Sequence, residues 1–151
     1  FNGGLSDAQA VAVAAPFSIA LGDSGCICGA LSGAVLACGL LVGNDQPYHH
    51  RQRMRESARQ LHDVFKATNG ATCCKVLSRN VCQDPQAHFQ QCAHLTAGAA
   101  EMAARLVLYQ RPELIRFTDK GFLHKIDTKI GTMMTRLLRI VFLKWLHQGT
   151  K

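Results

Sequence analysis

No Cys-x-x-Cys pair occurs in the 151 residues, which sets aside a thioredoxin-type motif. Cys-x-x-Cys-His is missing as well, so there is no attachment site for a c-type haem. Zinc-ribbon and ferredoxin spacings are also absent. There is no His-Glu-x-x-His, no Gly-x-Ser-x-Gly around Ser24 or Ser32, and no Gly-rich loop ending in Gly-Lys-Ser/Thr. Hydrolase and nucleotidase readings therefore have no support. Charged residues are few, 18% against 48% apolar, and that balance excludes a disordered tail. Strict apolar alternation is lacking, so no strand of consequence is expected.

The composition suits one domain of ordinary size, long enough to bury a core. Its charge is uneven. Residues 1–115 carry nine basic and eight acidic side chains, whereas residues 116–151 carry eight and two. Gln110-Arg111-Pro112-Glu113 breaks the pattern between them. The chain thus reads as a Cys-rich helical domain over 1–111 and a basic helical extension over 112–151.

Helical periodicity dominates. Ser6-Asp7-Ala8-Gln9 has the capping-box form and opens a small-residue helix over Ala8–Ala15, stopped near Pro16. A turn follows over residues 21–25. From Cys26 to Gly43 run 18 residues in which Ser32 is the one clearly polar side chain. As a straight helix this run reaches about 27 Å, the low end for a bilayer. It lacks basic and aromatic flanks, so it reads as a central helix buried on all sides, with glycines that let neighbouring backbones approach.

His49–Asn69 reads as a helix with Met54, Ala58, Leu61 and Phe65 on its apolar stripe. Arg51, Arg53, Arg55 and Arg59 form its solvated face, and Gly70 ends it. A short helical turn is expected over 72–77. Asp84-Pro85 opens a further helix to about Leu108, with Phe89, Cys92, Leu95, Ala99, Met102 and Leu106 on one stripe. Residues 121–147 read as a basic amphipathic helix, with Ile130, Met133, Met134, Leu137, Leu138, Val141 and Trp145 on its apolar side. The expected fold is all-α: a compact bundle around a buried Gly-rich central helix, with a basic C-terminal helix.

Seven cysteines stand out: Cys26, Cys28, Cys38, Cys73, Cys74, Cys82 and Cys92. Cys38 lies mid-helix among apolar neighbours and reads as a small core residue. The other six fall at helix starts, in loops or on a helix face, where ligands and reactive thiols belong. Free N–H groups and partial positive charge at a helix start favour a thiolate. A reachable Cys28 is therefore expected to have a lowered pKa, and the same argument applies to Cys73-Cys74. His88 lies one turn before Cys92 and His94 two residues after it. Both read as solvated helix positions.

Cys28-Gly29-Ala30-Leu31-Ser32-Gly33, continued by Ala34-Val35-Leu36-Ala37-Cys38-Gly39-Leu40-Leu41-Val42-Gly43, resembles the signature of the redox-active family C_GCAxxG_C_C. Phe65 to Gly70 followed by Cys74-Lys75-Val76-Leu77 is similar to the family's Phe…Gly…Cys-Arg-x-Leu segment. Cys92 to Glu101 resembles its final Cys on an Ala-rich helix, and Ala15-Pro16-Phe17 matches the stretch often found before the Gly-rich turn. The resemblance covers roughly residues 5–108. It carries Cys28, Cys74 and Cys92 over as site residues. The family's first Cys does not carry over, because Asp7 stands in its place in Asp7-Ala8-Gln9-Ala10-Val11.

The related split-Soret cytochromes pair such a domain with an iron–sulfur centre. The resemblance therefore implies a cluster for electron transfer or redox sensing, held by Cys28, Cys74 and Cys92. Cys26, Cys73 or Cys82 could supply a fourth sulfur, and Asp7 could substitute as an oxygen ligand. Three other readings stay open. One is a metal-free thiol–disulfide protein, with Cys28 as nucleophile and Cys74 or Cys92 as resolving thiol. Another is a zinc site of Cys with His88 or His94. The last is a scaffold with a degenerate site whose basic helix binds an anionic membrane surface. A redox partner and a homodimer are expected partners, and nucleic acid is not. A cytoplasmic or membrane-peripheral location fits the cysteine usage. So does an exported protein, beginning at Phe1, whose signal has been removed.

Overall fold

The computed structural model describes residues 4–43 and 46–118. The elements are α1 (Asp7–Ala14), a 3₁₀ turn η1 (Ala15–Phe17), α2 (Ser18–Asp23), α3 (Gly29–Gly43), α4 (Pro47–Asn69), α5 (Cys74–Leu77), α6 (Pro85–Gln110) and a 3₁₀ turn η2 (Pro112–Phe117). The fold is all-α, and the described residues contain no strand. Residues up to Arg116 make one compact unit. The basic helix expected over 121–147, with the membrane-surface role attached to it, lies outside the described residues.

Local chemistry sets most boundaries. Ser6 and Gln9 form the expected capping box at the start of α1. Gly70 closes α4 at φ +80, and its N–H donates to the Lys66 carbonyl at 2.8 Å. Asp84 caps α6 by accepting from the Gln86 and Ala87 N–H groups, each at 3.0 Å. Asp84→Ala is expected to lower stability by about 1 kcal/mol in a urea titration.

α3 lies between α4 and α6. Leu31, Ala34, Cys38 and Val42 repeat every three or four residues along its inner face. They meet Leu61 and Phe65 of α4 and Leu95, Ala99, Met102, Ala103, Leu106 and Val107 of α6 in the buried core. The helix is central but not buried on all sides, because two neighbours cover only part of its circumference. Ala37 and Leu40 are exposed. Of its four glycines, Gly33 and Gly39 have open space where a Cβ would stand, whereas a Cβ would collide with the Phe17 carbonyl at Gly29 and with the Met54 side chain at Gly43. Among the described residues no helix is long and apolar enough to cross a membrane.

Two further expectations are corrected, and the exposed Arg53 also takes on a structural bond. Phe89 is 74% exposed rather than part of the α6 stripe, because helix geometry turns it about 100° away from the direction shared by Leu95, Ala99, Met102 and Leu106. Arg53 does more than face water: its Nε and Nη2 donate to the side chain and carbonyl of Gln110, both at 3.0 Å. Gln110 in turn donates to fully buried Ser57 at 2.8 Å, which ties α4 to the end of α6. Irregular backbone also begins before residue 21. Ile19, Ala20, Leu21 and Gly22 of α2 all have left-handed dihedrals, with φ from 47 to 62. L-residues adopt these at a cost of roughly 1–2 kcal/mol each.

Candidate thiol site

The site begins where two loops meet. Gly25 takes φ +72 and Ile27 φ +53, so the chain cannot enter a right-handed helix at Cys26. α3 starts at Gly29 instead, with Cys28 just before it. The Cys28 carbonyl accepts from the Ser32 N–H at 3.0 Å and from the Ser32 hydroxyl at 3.2 Å. The Cys28 N–H donates to the Thr72 carbonyl at 2.8 Å. Three residues back in the first segment and three on in the second, the Lys75 N–H donates to the Gly25 carbonyl at 3.1 Å. These two bonds lay the approach to α3 against the approach to α5.

Cys73 and Cys74 stand at that junction. Cys73 has extended backbone, precedes α5, and its thiol donates to the Gly25 carbonyl at 3.2 Å. Cys74 is the first residue of α5. Cys92 reaches the same region from α6, which is tied to α5 by a bond from Gln91 Nε2 to the Leu77 carbonyl at 2.7 Å.

The electrostatics link these thiols. The Cys74 pKa is raised above the ordinary thiol value, first by burial and then by the charges of Cys28 and Cys73. The Cys92 pKa is raised by burial, then by the charges of Cys74 and Cys28. Three helices therefore bring Cys28, Cys74 and Cys92 into one mutually repelling group, with Cys73 at its edge. The helix start does not lower the Cys74 pKa. α5 has only four residues, so little dipole accumulates to offset burial and like charge. Cys28 is only 5% exposed, so an external reagent meets Cys74 and Cys92, both half-buried, before it.

The remaining candidates lie elsewhere. Cys26 is exposed in the loop, where its N–H donates to the Ser24 hydroxyl at 3.2 Å. Cys82 is exposed beyond α5, and its thiol donates to the Arg79 carbonyl at 3.5 Å. Neither is among the charges that shift Cys74 or Cys92. Cys38 is a core residue, 1% exposed, and its thiol faces the Ala103 carbonyl. Asp7 is exposed in the first turn of α1.

His94 is exposed, as expected, but His88 is not a solvated histidine. Its Nε2 is buried without a hydrogen-bond partner. The spacing does carry a signal for this, since His88 lies four residues before Cys92 and in register with Leu95, Ala99, Met102 and Leu106. A cleft of about 330 Å³ beside α5 was invisible in the sequence, since three separate segments line it.

A family model described as "Putative redox-active protein (C_GCAxxG_C_C)" matches residues 1–106. The chain belongs to this family. The matched span contains all seven cysteines. No curated protein and no solved structure matches the chain.

The iron–sulfur cluster implied by the resemblance can be tested against the donors present. A cluster needs four. Three thiols are gathered here, and the neighbouring fourth, Cys73, is turned to a backbone carbonyl. Among the described residues no group of three or more His, Cys, Asp or Glu side chains is arranged to hold a metal ion. The described residues thus gather three thiols and show no fourth donor turned towards them.

Proposed function

We propose that this member of the C_GCAxxG_C_C family is a thiol redox protein whose working pair is Cys74 and Cys92, with Cys28 buried behind them. The observation that carries this reading is the convergence of thiols from the approach to α3, from α5 and from α6: the Cys28 N–H is bonded to the Thr72 carbonyl beside Cys73-Cys74, α6 is bonded to α5 one residue before Cys92, and the Cys28 charge opposes ionisation of both Cys74 and Cys92. In the oxidising direction, one thiolate attacks a sulfur of a partner disulfide, and the first partner thiol leaves. The second cysteine, as its thiolate, then attacks the mixed disulfide and releases the second partner thiol. Two protein thiols become one disulfide, one partner disulfide becomes two thiols, and no metal takes part. This places the nucleophile on the accessible pair rather than on Cys28. Because both thiols titrate above the ordinary range, exchange accelerates as pH rises through pH 8 and 9.

A second reading keeps the cluster, and the same convergence favours it. Crowded thiolates repel one another, and a bound cationic centre would offset that repulsion. Cys28, Cys74 and Cys92 would be its donors, and the fourth would come from Asp7, Cys26, Cys73 or Cys82. One experiment separates the two: iron, zinc and acid-labile sulfide analysis of anaerobically purified full chain, with thiol counts before and after exposure to a small disulfide. Thiol exchange predicts no metal and a reversible loss of two thiols. Stoichiometric iron and sulfide would transfer the function to the cluster, and a thiol count that never changes would remove the exchange reading.

A further inference from the structure

We propose that the cleft bounded by the end of α4, α5 and α6 binds a small organic anion, and that the partner disulfide exchanged at Cys74 and Cys92 is carboxylate-bearing. Its volume of about 330 Å³ suits a small molecule. Val76, Leu77 and Leu95 supply apolar wall, while Arg79, Asn80 and His94 supply polar groups. The lining contains no Asp or Glu. Arg79 is exposed and makes no ion pair among the described residues. The amide donors of two other lining residues are already committed, Gln91 to the Leu77 carbonyl and Asn69 to the Phe65 carbonyl. Positive charge without a protein counter-charge, in a concave site, selects an anion, and a guanidinium selects a planar carboxylate in particular.

The cleft's place in the fold gives the anion a use. Cys74 opens the four-residue helix whose Val76 and Leu77 line the cleft, and Cys92 follows lining residue Gln91 on α6. An anionic group held by Arg79 leaves the rest of its molecule against the two elements that carry the exchanging thiols. The anion site stands on the cleft alone; the assignment of a disulfide substrate rests on the thiol-exchange reading.

The test separates these two parts. Thiodiglycolate, a dianionic thioether that cannot exchange, is titrated calorimetrically into the full chain, its Arg79→Gln variant, and its Cys26→Ser variant. Saturable binding is expected in the first. Arg79→Gln should weaken it by about tenfold or more, as for loss of a charge-assisted hydrogen bond. Cys26→Ser, outside the cleft lining and the thiol group, should leave it unchanged. Because the ligand holds no disulfide, this arm survives even if thiol exchange fails. Exchange rates with dithiodiglycolate and with the dicationic disulfide cystamine are then compared. The dianion should react faster, and Arg79→Gln should erase that preference while labelling by neutral iodoacetamide stays the same. Absent binding, or binding indifferent to Arg79→Gln, overturns the anion site. Equal exchange rates for the two disulfides overturn the substrate assignment.

Discussion

Cys74→Ser is expected to abolish reversible dithiol oxidation and at the same time to make Cys92 easier to ionise. Cys74 is the hub of the group: it feels the charges of Cys28 and Cys73, and its own charge is the larger of the two that oppose Cys92. Without it, Cys92 loses its proposed disulfide partner, because the remaining half-exposed thiol, Cys73, is turned to the Gly25 carbonyl. The rate of two-thiol oxidation by a small disulfide should fall by about two orders of magnitude or more, the scale set by losing an oriented intramolecular partner. Burial still holds the Cys92 pKa above the ordinary value, but one repelling charge is gone. The pH midpoint of Cys92 alkylation should therefore move down. A merely structural Cys74 would not produce that shift. Wild-type oxidation in the variant, or an unmoved Cys92 midpoint, would sink the assignment. Helix content followed by circular dichroism should stay constant, because the substitution falls in a four-residue helix and is nearly isosteric.

The second large effect concerns Cys38, which lies in the core rather than in the site. Burial raises its pKa from 9.0 to about 11. At pH 7 its thiolate fraction is then about 100-fold below that of a free thiol, so Cys38 should be the slowest of the seven cysteines to alkylate in the native chain. The same shift bears on stability. Below about pH 9 the thiol is protonated both folded and unfolded, and contributes no pH dependence. Between about pH 9 and pH 11 the unfolded chain releases the proton while the folded chain keeps it, so stability falls as pH rises. Two pKa units correspond to about 3 kcal/mol. Urea titrations of wild type and Cys38→Ala across this window should differ in slope, with the wild type losing more. Parallel curves would show that Cys38 titrates as readily when folded as when unfolded.

Helices stabilised by their own sequence were legible in advance. The Ser6–Gln9 capping box, the Asp84-Pro85 start and the Asn69-Gly70 stop each act within a few residues of chain, and each lies where periodicity put it. The stripe over Leu61 and Phe65 was equally plain, because an amphipathic helix writes its buried face into its spacing. The α3 run misled on its circumference. A helix apolar all round does not reveal how many neighbours it has, and it has two principal ones. Arg53 is exposed as its place on the polar face implies, while its bonds to Gln110 come from a distant part of the chain; His88 was misjudged although its spacing puts it on the buried stripe.

The site divides in the same way. Membership of the family and the importance of Cys28, Cys74 and Cys92 were written in local motifs. That Cys73 joins the group while Cys26 and Cys82 stay out depends on two backbone bonds between the Gly25–Cys28 and Thr72–Lys75 segments, 44 or more residues apart in the chain. The direction of the Cys74 pKa shift was likewise a tertiary matter. A helix start argues for a lower value, but burial and neighbouring thiols decide for a higher one, because desolvation and like charge act through space on whatever the fold brings near. Residue chemistry and short-range spacing thus established the helices, the family and the candidate thiols. Their grouping, their accessibility and the Arg79-bearing cleft beside them came from packing, which alone sets the distances on which those forces depend.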